Sequence, residues 1–171
     1  YERNVFYDVQ GFKGIDELAS GDDELLLHKV AARYPDRIGF LKDLNATVYT
    51  HAKPDLGAFI SQRKRWASKS TKYENKSIVW LGVCMWLFNL SILINLITGV
   101  FDIHYLSLGL VQLGLKIGAE FLFLAGLTSF FRRRDLLPLL PLVSSMHVFY
   151  IVYIGLAGNN DKYQWKERKV N

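Results

Sequence analysis

The sequence predicts an α/β segment followed by an α-helical transmembrane bundle. Two compositional facts and one short stretch point there. Residues 1–77 hold 13 of the 21 Lys and Arg and 11 of the 16 Asp and Glu, so a polar half precedes an apolar one. Three long runs, 78–101, 105–131 and 136–157, are almost free of charge. Gln62-Arg63-Lys64-Arg65-Trp66 stands at the seam and brings cations, an amide and a large ring together at helical spacing. Four regions follow: an α/β part over 1–53, an amphipathic interfacial helix over 54–77, about three membrane helices over 78–157, and a basic aromatic tail over 158–171.

Taken in order, residues 1–19 alternate loosely and are punctuated by Gly11 and Gly14, which predicts a short helix or turn and a loop. Ser20 followed by Asp23 has the form of a capping box, with Asp in place of Glu or Gln. Leu25, Leu26, Val30 and Ala31 then give a helical apolar face as far as Tyr34, where Pro35 stops it. Residues 38–41 and 46–50 are rich in β-branched and aromatic types and read as strands of a hairpin or of two sheet edges. Pro54 and Asp55 open a helix over about 55–73 with Leu56, Phe59, Ile60 and Trp66 recurring at helical intervals. Its Lys, Ser and Thr residues suit a headgroup layer.

Run 78–101 has 24 residues without a charge, enough at about 1.5 Å per residue to cross a hydrocarbon core of about 30 Å. Run 105–131 is interrupted by Lys116 and Glu120, four apart and therefore on one helix face. Charges at membrane depth must pair or face a bundle interior, so the two neutralise each other or line a lipid or glycan path. Run 136–157 carries Pro138, Pro141, two Ser and His147, and reads as a kinked span or a partly re-entrant helix. The cations around Arg63 and the cluster at Arg132, Arg133 and Arg134 both belong on the cytoplasmic side. Two spans between them satisfy that, whereas a full third span places the basic tail outside.

The net charge of +5 is mild and its cations lie beside apolar runs, which selects a lipid bilayer and excludes nucleic acid as the partner. Cys84 stands alone in an apolar run and reads as a small packing residue. His28 and His51 have no ligand spacing to a partner, so no metal site is visible. The chain opens on Tyr1 without an initiator Met or signal peptide, so more of a longer gene product is expected upstream. Two places can carry chemistry. Asp22 and Asp23 crowd a helix start, where the dipole favours acids; the same field keeps a general base ionised and fixed in direction. Gln62, Arg65 and Trp66 share one helix face, which is either a Trp-anchored interfacial surface or a binding wall.

These motifs in this order resemble the carboxy-terminal part of family 2 membrane glycosyltransferases, the group that includes cellulose, chitin and hyaluronan synthases. Gln62, Arg65 and Trp66 match the family's Q-x-x-R-W signature, and Asp22-Asp23 matches its acidic pair. The switch to apolar runs after Trp66 also fits, and the likeness extends over essentially the whole chain. The resemblance implies that the first part is the end of a GT-A domain. It implies an inverting transfer of sugar from a nucleotide-diphosphate donor to an acceptor hydroxyl, on a glycan or lipid-linked acceptor. Asp23 would be the general base, with Gln62, Arg65 and Trp66 at the acceptor entrance and the donor diphosphate. A divalent metal, Mg or Mn, would be held by an upstream D-x-D motif absent here. These 171 residues alone would then bind no metal and catalyse nothing. The implied setting is cell-envelope glycan synthesis at a bacterial cytoplasmic membrane, with the catalytic part cytoplasmic. The competing reading is a non-enzymatic membrane module whose basic helix binds lipid or a partner protein.

Overall fold

The computed structural model describes residues 1–15, 21–70, 76–158, 163–165 and 168–170. They fall into two compact units, Tyr1–His51 with Asp161–Asn171, and Ala52–Asn160. Each is described by itself.

In the first unit, α1 (Arg3–Asp8) leads through a glycine-containing turn toward α2 (Asp22–Arg33). A small core of Val9, Ile15, Leu25 and Leu26 joins them. Lys29 ties the turn to α2 by donating to the carbonyls of Gly11 (2.6 Å) and Lys13 (2.9 Å), and Tyr34 Oη donates to Asp8 Oδ2 at 2.9 Å. Gly11 is left-handed (φ 51°) and presses on Phe6; a Cβ there would lie 2.6 Å from the ring. The helix cap is Gly21, with no side-chain cap bond, in place of the expected Ser20–Asp23 box; Ser20 itself lies outside the described residues.

The α/β class expected for this part is overturned. Among the described residues no GT-A domain is seen, and residues 38–41 and 46–50 form no strands. Two 3₁₀ turns, Pro35–Arg37 and Leu44–Ala46, interrupt an otherwise irregular path. The reason is local and tertiary together. Asp43 Oδ1 accepts the Asn45 N–H at 2.8 Å and starts a turn where a ladder was expected. Phe40, Val48 and Tyr49 are 85% or more exposed, so nothing packs on them, and β propensity expresses itself only through such packing. Among the described residues the one ladder is a short antiparallel pair, β1 (Tyr163–Trp165) with β2 (Arg168–Val170), inside the expected tail.

The second unit holds α3 (Leu56–Ser70), α4 (Lys76–Thr98), α5 (Ile103–Phe130) and α6 (Leu140–Ala157), the last preceded by a 3₁₀ turn, Arg134–Leu139. Asp55 caps α3 by accepting the Ala58 N–H at 2.7 Å, and Asp102 caps α5 by accepting the His104 N–H at 2.8 Å. Among the described residues three helices are long and apolar enough to cross a membrane, which makes the chain an integral membrane protein. Their outer faces expose residues such as Leu110, Leu122 and Phe149, while Ile92, Val148 and Ser144 are almost wholly buried. In lipid, small residues and polar pairs hold helices together. Gly99 admits Leu106 and Gly109 admits Leu96 along the α4–α5 seam. Asn95 Nδ2 donates to Gln112 Oε1 (2.9 Å), and Gln112 Nε2 donates to Ser91 Oγ (3.2 Å).

The packing of α6 departs from a simple up-and-down bundle. Residues 99 and 106 meet, as do 96 and 109, so α4 and α5 are antiparallel and Trp86 stands level with Ala119. Ser144 of α6 bonds Glu120, at that level. Yet Trp86 Nε1 donates to the Val152 carbonyl at 3.3 Å, and its indole fills the space beside Gly155. Positions 144 and 155 are about 16 Å apart along a helix but meet the α4–α5 pair at one height. Helix α6 therefore runs steeply across the pair. Its far end packs on α3, where Gly158 meets Ala67 and Tyr150 meets Phe59.

Candidate functional site

Asp22 and Asp23 occupy the first turn of α2 and are exposed. The Asp23 Oδ1 accepts the Glu24 N–H at 2.9 Å, which turns the carboxylate toward the helix start. Asp23 thus stands in the first turn, where a helix start carries partial positive charge. It belongs to the first unit, while Gln62, Arg65 and Trp66 belong to the second.

Gln62, Arg65 and Trp66 lie on successive turns of α3, Trp66 with 46% of its surface exposed and the other two half-buried. The residue between them that the sequence did not single out is Arg63. Its guanidinium carbon stands 4.4 Å from the Trp66 ring centre and 4.8 Å from that of Phe59. Each such contact contributes about 0.5–2 kcal/mol, more as water is excluded. The Arg63 Nε is buried, with no hydrogen-bond partner among the described residues, so the group is held by rings. It covers one face of Trp66, whose surface remains 46% exposed. Lys64 turns to α6, with its ammonium 5.3 Å from the Tyr153 ring centre.

A second polar group lies inside the membrane bundle. Lys116 is 8% exposed and pairs with Glu120 on the next turn of α5. Lys116 turns inward, while the Glu120 side chain keeps 29% of its surface exposed. From α6, Ser144 Oγ donates to Glu120 Oε2, and His147 Nδ1 stands 3.3 Å from Lys116 Nζ. An ammonium only donates, so Nδ1 is the acceptor and the ring proton sits on Nε2. The His147 ring stacks on Tyr150 (centres 5.4 Å apart), and Tyr150 meets Phe59 of α3 (5.9 Å). A row of groups thus runs from Trp66 through Arg63, Phe59, Tyr150 and His147 to Lys116. Beside Glu120, Ser144 and His147 opens a groove of about 500 Å³, otherwise walled by Ala119, Phe123, Leu124, Leu140 and Val143.

Among the described residues, no group of three or more His, Cys, Asp and Glu side chains is placed to hold a metal ion. Sequence reasoning reached Lys116 and Glu120 through their spacing, but it did not join Ser144 and His147 to them. The available signal was that these two polar residues, three apart in an apolar run, share a helix face. Compared with protein-family models, curated proteins and solved structures, the chain has no match in any of the three.

Proposed function

We propose that the chain is the acceptor-side and membrane-anchoring part of an inverting glycosyltransferase. Such an enzyme moves a sugar from a nucleotide-diphosphate donor to an acceptor hydroxyl on a glycan or lipid-linked acceptor. The work belongs to cell-envelope glycan synthesis at a bacterial cytoplasmic membrane, with the catalytic part cytoplasmic. The observation that carries the reading is the setting of Gln62, Arg65 and Trp66. They sit on one continuous helix, Trp66 with 46% of its surface exposed, directly before three apolar helices. Asp23 at a helix start adds a carboxylate suited to taking a hydroxyl proton. Arg65 suits a departing diphosphate, whose oxygens it can hold with two donors at once. Trp66 suits the acceptor ring. The upstream part of the enzyme would supply the metal and the nucleotide-binding strands.

The test is transfer by the full-length enzyme. Asp23→Asn keeps shape and hydrogen bonding but removes the base, so turnover should fall by about 10²–10⁴ while donor binding changes little. Arg65→Ala should weaken both diphosphate binding and turnover. Near-normal transfer by folded, donor-bound Asp23→Asn removes Asp23 from the role of base. If neither substitution affects any transfer, the non-enzymatic membrane module is the better description.

A further inference from the structure

The groove between α5 and α6 is the feature that neither packing nor sugar transfer uses. Its position within the membrane is the first clue. Glu120 lies ten residues before the end of α5 at Phe130, about 15 Å along the helix. The side chains of Glu120 and His147 remain 29% and 39% exposed there. A carboxylate and an imidazole open to hydrocarbon are costly, so a chemically matched occupant is favoured over a bare acyl chain.

The charge and hydrogen-bond inventory says what matches. Lys116 already balances Glu120, so the cluster has no net charge to offer. An ionic head would be desolvated without a counter-ion, which disfavours phosphate and ammonium alike. What is left is one spare acceptor and one spare donor. Glu120 receives Lys116 on Oε1 and Ser144 on Oε2, but a carboxylate has about four acceptor sites. His147 spends Nδ1 on Lys116, and its Nε2–H has no hydrogen-bond partner among the described residues. A neutral hydroxyl donates once and accepts, satisfying both. The remaining wall is apolar, and about 500 Å³ is within the range of small-molecule sites.

We propose that this groove binds a membrane lipid carrying a neutral hydroxyl next to its hydrocarbon, of the diacylglycerol class. The hydroxyl donates to Glu120 and accepts from His147 Nε2–H, and an acyl chain fills the wall formed by Phe123, Leu124 and Val143. The proposal concerns a lipid ligand and stands apart from the transfer reading, because its test needs no sugar donor.

The experiment uses the full chain in phosphatidylcholine nanodiscs with a dioleoylglycerol analogue bearing a photoactivatable diazirine in one tail. Adducts should map to 119–124 and 140–147. Unlabelled dioleoylglycerol should displace the probe about tenfold more effectively than its 3-O-acetyl ester or dioleoyl phosphatidic acid, as two net hydrogen bonds imply. Two variants should lose that discrimination. His147→Phe keeps the ring on Tyr150 but removes Nε2–H. The double variant K116L/E120L removes both charges together, so no buried ion is stranded. Three outcomes would overturn the proposal. One is equal displacement by all three competitors, as for ordinary annular lipid. Another is adducts spread evenly over α4, α5 and α6. The third is discrimination retained by folded His147→Phe and by K116L/E120L.

Discussion

Lys116 is the residue whose loss should be felt most. Its ammonium serves Glu120 and His147 at once, so Lys116→Ala strands a carboxylate at membrane depth and should cost about 3–5 kcal/mol. K116L/E120L strands no ion and should unfold within about 1 kcal/mol of the parent, or above it. Denaturation of both in one detergent distinguishes the cases; equal losses would mean that the pair does not act as a unit. Arg63 gives a finer test. In a background where Trp66 is the sole tryptophan, Arg63→Leu should uncover the ring and increase its quenching by acrylamide, because the guanidinium now shields one face. Some of this was legible in the sequence. A crowd of acids before an apolar helical face marked Asp22 and Asp23, and spacing placed Gln62, Arg65 and Trp66 together. The role of Arg63 was hidden because its partners are rings, which carry no charge pattern. His147 was hidden because its partner is 31 positions away and only the fold brings the two together.

Among the elements, α6 is fixed by close approach. A Cβ on Gly155 would fall 2.2 Å from the Trp86 indole, so Gly155→Ala must displace that ring and its bond to Val152. A loss of about 1–3 kcal/mol is expected. Gly82→Ala, with open space around it, should be neutral or gain from helix propensity. The melting temperatures of the two variants should therefore move apart. At the end of α5, Arg132 sits in the left-handed region (φ 55°) while its N–H and that of Arg133 bond back to Ser129 and Thr128. Glycine is favoured at that position, so Arg132→Gly should raise stability by about 0.5–1 kcal/mol. The helices themselves could be read from apolar run length and, for α3, from Pro54 and Asp55 at its start. The strands could not, because residues such as Val48 and Tyr49 announce only a liking for a pleated surface. Whether a neighbouring strand exists is a property of the fold. For α6 the prolines left a kinked span and a partly re-entrant helix both open, and only its contacts with Trp86 and Glu120 show how steeply it crosses.

For the whole molecule, the crossing predicts a topology. If α6 does not traverse, the chain before α3 and the chain after α6 lie on one side of the membrane, and the α4–α5 connection lies on the other. In a Cys84→Ser background, cysteines at 53 and 164 should label from one side, and Asp102→Cys from the other. Labelling of 164 together with 102 would restore a full third span. The row from Trp66 to Lys116 then has a mechanical meaning. Trp66 is referenced to the hydrocarbon interior through four ring or cation contacts and the His147–Lys116 approach. Its height above the bilayer is gauged from inside the lipid. Acyl chains of different length change the tilt of α4 and α5, and α3 would be carried with them. Bilayer thickness would then act on the presentation of Trp66 as a setting of the protein, one that could be varied by lipid chain length with no change to the sequence.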